Sequence, residues 1–235
     1  MAYLIKLLNK RTIANGTMAF EWEKPAGYTF TSGQATDWTI PNPAETDDEG
    51  NLRSFSIACG PNEPLLRIAT RMRDTAFKRC LSRMNLGDTI SIDDPWGEFT
   101  LEAAHTSDVV FLCGGIGVTP FYSMLLDHVA QQRTQHVTLF FSNKTIGDAP
   151  FRNELLALAK KNSAITMVET ITDDPDWQGE HGFIDEAMLK RHISDLNVPT
   201  YYIAGPPQMV AAMNKMLHGA GIAEEQIKLD EFSGY

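Results

Sequence analysis

The sequence predicts two units, an antiparallel all-β unit, sandwich or barrel, over residues 1–104 and an α/β domain with a parallel sheet over residues 105–235. Three observations predict this. The first hundred or so residues carry short strand-like runs broken by turn signals. The second half alternates apolar β-branched runs with helix-periodic ones. At the start of that half, VVFLCGGIGVTP (109–120) compresses a strand, a glycine turn and a helix start into twelve residues. A chain of 235 residues is long enough for two medium-sized domains.

In chain order, YLIKLL, TMAFEWE, ATDWTI, LLRIATRM and TISI read as strands. NG, PAG, SGQ, PNP, DDEG and CGPNEP separate them, as many short strands of a sandwich or barrel require. One helix, TAFKRCLSRM, interrupts, opened by Asp74 or Thr75 and stopped near Gly87. The junction falls near His105–Asp108. Beyond it, strands are expected at 109–113, 137–142, 165–171, 200–204 and near 226–229. Helices are expected at 120–132, 150–161, 185–194 and 207–219. That rhythm places helices on both faces of a parallel sheet, with ligands beyond the carboxyl ends of its strands.

Two loops belong to that edge. In the first, Gly114, Gly115 and Gly117 let the backbone bend sharply and approach a ligand. Thr119 is a good N-cap and Pro120 suits the first helical position. The helix start then presents free N–H groups to a phosphate, and a nucleotide pyrophosphate is the natural guest. The spacing is not G-x-G-x-x-G, and alone it also fits a tight turn with no ligand. The second loop is Ala204-Gly205-Pro206-Pro207.

Composition narrows the function. The chain is 43% hydrophobic and 21% charged, with no apolar run near the ~20 residues of a membrane span. MAYLIKLLNK is too short in apolar residues for a signal peptide, so the cytoplasm is expected. A net charge of −10 argues against nucleic acid as partner. Cys59, Cys80 and Cys113 are too few for a four-cysteine cluster. The six histidines show no ligand spacing, so no metal site is expected. Arg53-Ser54-Phe55-Ser56 offers a phosphate-pairing guanidinium, but alone reads as a strand with one exposed arginine and a core phenylalanine.

Taken together and in order, these segments resemble the ferredoxin–NADP reductase superfamily, specifically its compact bacterial flavoprotein reductases. Gly33-Gln34 fits its Gly-Gln strand start, and Arg53-Ser54-Phe55-Ser56 its Arg-x-Tyr-Ser/Thr flavin motif. Asp94-Pro95-Trp96-Gly97-Glu98-Phe99 is similar to its Gly-Pro-aromatic-Gly-x-Phe turn. Gly114 to Pro120 resembles its nicotinamide-nucleotide loop, Ala204 to Met209 its Cys-Gly-Pro-x-x-Met segment, and Glu231-Phe232 its terminal acidic-aromatic pair.

The resemblance implies a six-stranded flavin-binding barrel and a five-stranded parallel nucleotide domain. It implies FAD, with FMN the lesser alternative, and NADH or NADPH as substrate. Arg53 would pair with the flavin phosphate, Phe55 would pack on the isoalloxazine, and Ser56 would hydrogen-bond flavin N5, with Ser54 alongside. Thr70, Arg71 and Met72 would line the pyrimidine edge through their backbones. Thr75-Ala76-Phe77-Lys78 stands at the pyrophosphate position. Gly114, Gly115, Gly117, Thr119 and Pro120 would hold the nicotinamide nucleotide together with Ala204, Gly205, Pro206 and Met209. Tyr235, or Phe232, would cover the flavin face.

The chain departs from the family pattern at several positions. Phe55 replaces a tyrosine, Lys78 a serine and Ala204 a cysteine. Cys113, on the strand beside Ala204, can fill the vacated space or be a plain buried cysteine. Asp173, Asp174 and Asp176 stand where a 2′-phosphate would be read, which favours NADH despite Lys144 nearby.

The implied function is hydride transfer from NAD(P)H to bound FAD, then electron transfer to a separate acceptor. A ferredoxin- or flavodoxin-like carrier could dock on the basic segment 67–83, with Arg67, Arg71, Arg73, Lys78, Arg79 and Arg83 against Asp74 alone. The alternatives are an electron-transfer subunit of a larger complex and a flavin-free nucleotide-binding regulator.

Overall fold

The computed structural model describes residues 2–101 and 108–232. The expected junction at 104 and 105, and Tyr235, lie outside the described residues.

β1 (Tyr3–Ala14), β2 (Thr17–Glu23), β3 (Ala35–Thr39), β4 (Leu52–Ser56), β5 (Leu65–Arg71) and β6 (Thr89–Ile92) form one antiparallel sheet, in the order β4-β3-β6-β1-β2-β5. The first residues of β1 pair with β6 and the rest with β2. Register shifts after Leu7 and Thr12 bend β1 and help the sheet curl. The two edges meet where the Ala58 N–H donates to the Arg67 carbonyl at 2.7 Å. Alternation turns Phe20, Trp22 and Trp38 inward, fully buried, with the two indoles 5.6 Å apart. Each such buried ring contributes about 1.5–3 kcal/mol. α1 (Ala76–Arg83) adds Phe77 and Leu81 to that core, and the Thr75 hydroxyl caps it by accepting from the Lys78 N–H.

In the second unit β7 (Val109–Gly114), β8 (Val137–Asn143), β9 (Ile165–Ile171), β10 (Glu180–His181), β11 (Thr200–Gly205) and β12 (Ile227–Glu231) lie in the order β10-β9-β8-β7-β11-β12. Every pairing is parallel. Strand alternation splits the core in two. Phe111 and Phe141 pack with α2 (Thr119–Ala130) and α3 (Arg152–Lys161) on one face. Val110 and Leu112 pack with α4 (Glu186–His192) and α5 (Pro207–Gly219) on the other.

Two expectations need correcting. The resemblance implied five strands, and the described residues form six. The extra one, β10, is two polar residues long and is held by pairing with β9, so no apolar alternation announces it. Thr119 is not the N-cap of α2. Gly115–Val118 already form a 3₁₀ turn, Thr119 is the first residue of α2, and its hydroxyl donates to the Ile116 carbonyl at 3.0 Å.

The units interlock. Phe99 lies 5.7 Å from the Phe121 ring and 5.4 Å from the Tyr202 ring, and the Tyr202 hydroxyl donates to the Thr100 carbonyl. The Ser123 hydroxyl donates to the Cys59 carbonyl at 2.6 Å, and Arg11 pairs with Glu154 at 2.8 Å. Gly33 adopts φ +97, and a Cβ there would stand 2.2 Å from the Phe99 carbonyl oxygen. No helix among the described residues is long and apolar enough to cross a membrane.

Candidate active site

A cleft of about 910 Å³ lies between the two sheets and takes its lining from both units. That is at the upper end of the roughly 300–1,000 Å³ usual for small-molecule sites. On the barrel side β4 supplies Arg53, Ser54, Phe55 and Ser56, and β5 supplies Thr70 and Arg71. Thr75 and Lys78 come from the start of α1. Across the cleft stand Ile116 and Thr119 from the glycine turn, and Asp230 and Phe232 from β12 and the residues after it.

Phe55 is half-buried on the Phe77 ring, with centroids 6.0 Å apart, so Phe77 supports the wall without lining it. Ser54 and Ser56 both line the cleft, and the Ser54 hydroxyl donates to the Asp37 carboxylate. On β5 the Met72 N–H is bound by the Gly16 carbonyl, and the Arg67 carbonyl by Ala58. Alternation along the strand therefore turns the N–H and C=O groups of Ala69 and Arg71 toward the open side. The same parity turns the backbones of Thr70 and Met72 toward β2, a correction to the expected edge contact; Thr70 still lines the cleft and Met72 does not.

One end of the cleft is a cationic shelf. Arg53, Arg71, Arg73 and Lys78 all line it, beside the N-terminus of α1. The Arg53 guanidinium lies 5.3 Å from the Phe77 ring centre and is bonded to Glu49 at 2.6 Å. Lys78 is only 7% exposed, and its ammonium makes no hydrogen bond or ion pair with a described residue. Burial first, then the charges of Arg73 and Arg53, push its ammonium down to about 8. A buried cation without a partner, next to a helix N-terminus, fits an anionic guest. The first-turn Ala76 N–H is bonded to the Asp47 carboxylate at 2.7 Å, so Ala76 itself does not line the cleft.

The glycine loops lie behind the opposite wall. A Cβ on Gly117 would stand 2.4 Å from the Ala204 carbonyl oxygen, and one on Gly205 would stand 2.3 Å from the Met209 methyl. A Cβ on Gly114 would stand 3.0 Å from the Met209 sulfur. Gly115 is left-handed, φ +52, with open space at its Cβ. Gly114, Gly117, Ala204, Gly205 and Met209 thus bring the two loops against each other, while Pro120 and Pro206 set the helix entries. Ile116 and Thr119 are the residues of the turn that reach the cleft. Cys113 is opposite Ala204 in register, but its thiol donates to the Phe140 carbonyl inside the sheet core and lines no part of the cleft.

The basic segment 67–83 is not one exposed patch. Arg67 is buried between Glu21 and Glu63. Arg79 is held by Glu45 and Asp74, and Arg83 by Glu45. Glu21 and Glu45 come from distant segments, which a local charge count cannot include. The carrier-docking expectation for Arg79 and Arg83 loses its basis.

Reading the sequence by motif missed Glu49, Arg73 and Asp230 as cleft residues. Burial pushes the Asp230 carboxyl up to about 6 from 3.8. A raised carboxyl favours the folded state while protonated, and that contribution is lost as pH rises from about 4 through 6. Asp230→Asn, which stays neutral, should therefore melt like the parent near pH 4. By pH 7 it should be more stable by about 3 kcal/mol, and parallel melting curves against pH check this.

Residues 111–215 match the family model of the oxidoreductase NAD-binding domain. The reductase component of propane 2-monooxygenase from Rhodococcus jostii is 29% identical over 219 residues, 89% of this chain and 57% of that protein. A subunit of the Na(+)-translocating NADH-quinone reductase from Klebsiella pneumoniae is 28% identical over 79% of this chain and 50% of its own length. The chain thus spans about half the length of the curated relatives it matches. A ferredoxin NADP+ reductase from Neisseria gonorrhoeae, solved with bound FAD and NADP, superposes with a TM-score of 0.84 at 22% identity, covering 98% of both chains. The two-sheet architecture is thus the fold of that ferredoxin NADP+ reductase, and the chain is similar along most of its length to reductase components and subunits that are themselves longer.

Proposed function

We propose that this chain is an NAD(P)H-dependent flavin oxidoreductase that holds FAD along the barrel wall of the cleft and passes electrons to a separate acceptor. The observation that carries this is one continuous cleft. It joins a cationic shelf, an aromatic wall on β4 and the glycine turn of an oxidoreductase NAD-binding domain. Names of the relatives support it, since they include reductase components and an NADH-quinone reductase subunit.

Bound flavin supplies hydride acceptance from a reduced nicotinamide and electron release to the acceptor. The chain's own residues bind and orient. Arg53 and Lys78 hold phosphate oxygens at the shelf. Phe55 gives the flavin ring a flat apolar support, and Ser56 offers its hydroxyl to the ring's central edge. The outward backbone groups of Ala69 and Arg71 pair with the polar edge. Thr119 and the turn before it hold the nicotinamide nucleotide, with Tyr235 or Phe232 as the covering aromatic. No side chain is required to move a proton for the hydride step.

NADH is the expected donor. The Asp173 N–H is bonded to the Lys144 carbonyl, so the acidic stretch 173–176 lies along the end of β8. Arg152, 5.9 Å from the Trp177 ring, is held by Glu169 at 2.6 Å and is not free to meet a 2′-phosphate. A KM for NADH well below that for NADPH supports this, and the reverse order overturns it. The component and subunit names of the relatives also support a second reading, an electron-transfer subunit of a larger assembly.

The decisive experiment is anaerobic addition of each pyridine nucleotide to the flavin-loaded protein. The chromophore released by heat is then compared with FAD and FMN.

A further inference from the structure

The segment between β3 and β4, PNPAETDDEGN (41–51), brings carboxylates onto the shelf. Asp47 accepts from the first N–H of α1 at 2.7 Å and lies 3.7 Å from Arg53. That hydrogen bond holds its carboxyl below the usual carboxylate range, so it is ionised at neutral pH. Glu49 sits on the Arg53 guanidinium, whose other nitrogen is bonded to the carbonyls of Glu49, Gly50 and Leu52. Two carboxylates therefore occupy the helix terminus and the guanidinium, which are the groups that would meet a diphosphate. The Lys78 ammonium, buried and with no hydrogen bond or ion pair to a described residue, marks the same place as built for an anion.

We propose that Asp47 and Glu49 are an internal stand-in for the cofactor's phosphates, so that a diphosphate enters the shelf only by displacing them. This rests on the reading of the cleft as a flavin site. The loop is suited to exchange. Glu49 is 60% exposed, and an exposed pair of this kind holds weakly. Gly50, at φ +72, and Pro41 and Pro43 bound the loop. Glu45 is tied instead to Arg79 and Arg83 and stays as the anchor, so residues 46–49 are the part that moves. The consequence is a cofactor held exchangeably, with an affinity set by two acids that never touch it once it is bound.

The test is Asp47→Asn with Glu49→Gln, and Glu49→Gln alone, which leaves the α1 terminus untouched. Inorganic pyrophosphate is titrated by thermal shift, and FAD by quenching of its fluorescence. The double variant should bind both at least about tenfold more tightly, and the single variant a few-fold more tightly, with slower FAD release. Pyrophosphate affinity equal to or weaker than the parent's in the single variant overturns the proposal, whatever the double variant does. If pyrophosphate binds the variants more tightly while FAD binds none of the proteins, the flavin reading falls and the exchange stands.

Discussion

Gly117→Ala should lower the melting temperature by roughly 5–10 °C and cut NADH oxidation at least about 100-fold. The added Cβ would stand 2.4 Å from the Ala204 carbonyl oxygen, 2.9 Å from Gly205 Cα and 3.0 Å from the Ala204 carbonyl carbon. All three are backbone atoms of β11, so no flexible side chain can yield. The 115–118 turn must lift away, or the β7–β11 pairing must open. Overpacking of this kind costs about 1–3 kcal/mol and sometimes more. The same movement displaces Ile116 and Thr119, which reach the cleft, and small misplacements of a reacting partner are expensive in rate. Gly219→Ala is the control, because a Cβ there meets nothing within 4 Å. It should leave both measurements unchanged.

Arg53→Ala should weaken flavin binding by about 10- to 100-fold, corresponding to one charge-assisted hydrogen-bonded contact of about 1.5–3 kcal/mol. Arg53 is 17% exposed and lies on the Phe77 ring, so it is positioned before any ligand arrives. Arg53→Lys should fall between the two, since it keeps the charge but loses the planar fork and much of the ring contact. The measurements are flavin content after gel filtration and the dissociation constant by fluorescence. Unchanged affinity in the alanine variant would remove Arg53 from the phosphate site.

Most of the fold was legible because its elements are periodic. TMAFEWE is β2 residue for residue, and α5 spans the predicted 207–219. β10 was not legible, since two polar residues paired at a sheet edge carry no pattern. The start of α2 was misplaced because Thr-Pro is a good capping signal, whereas a glycine-rich 3₁₀ turn before it carries none. In the site, Arg53 to Ser56 and Lys78 follow from motif position and do line the cleft. The pairing of Arg79 and Arg83 with Glu45, and of Arg53 with Glu49, depends on how a proline- and acid-rich loop folds back, which spacing does not encode. Asp230 was passed over because motif reading stops at Glu231-Phe232, while the half-buried carboxylate lining the cleft is the one before.

The central claim is that a flavin on the barrel wall and a reduced pyridine nucleotide on the glycine turn meet in one cleft. Rapid mixing of the oxidised, flavin-loaded protein with a stoichiometric amount of NADH without oxygen tests it directly. The account expects the visible flavin absorbance to bleach fully within the mixing experiment, and to bleach far more slowly in Gly117→Ala. A protein that takes up neither FAD nor FMN, or one whose bound flavin keeps its colour with both NADH and NADPH, would contradict it.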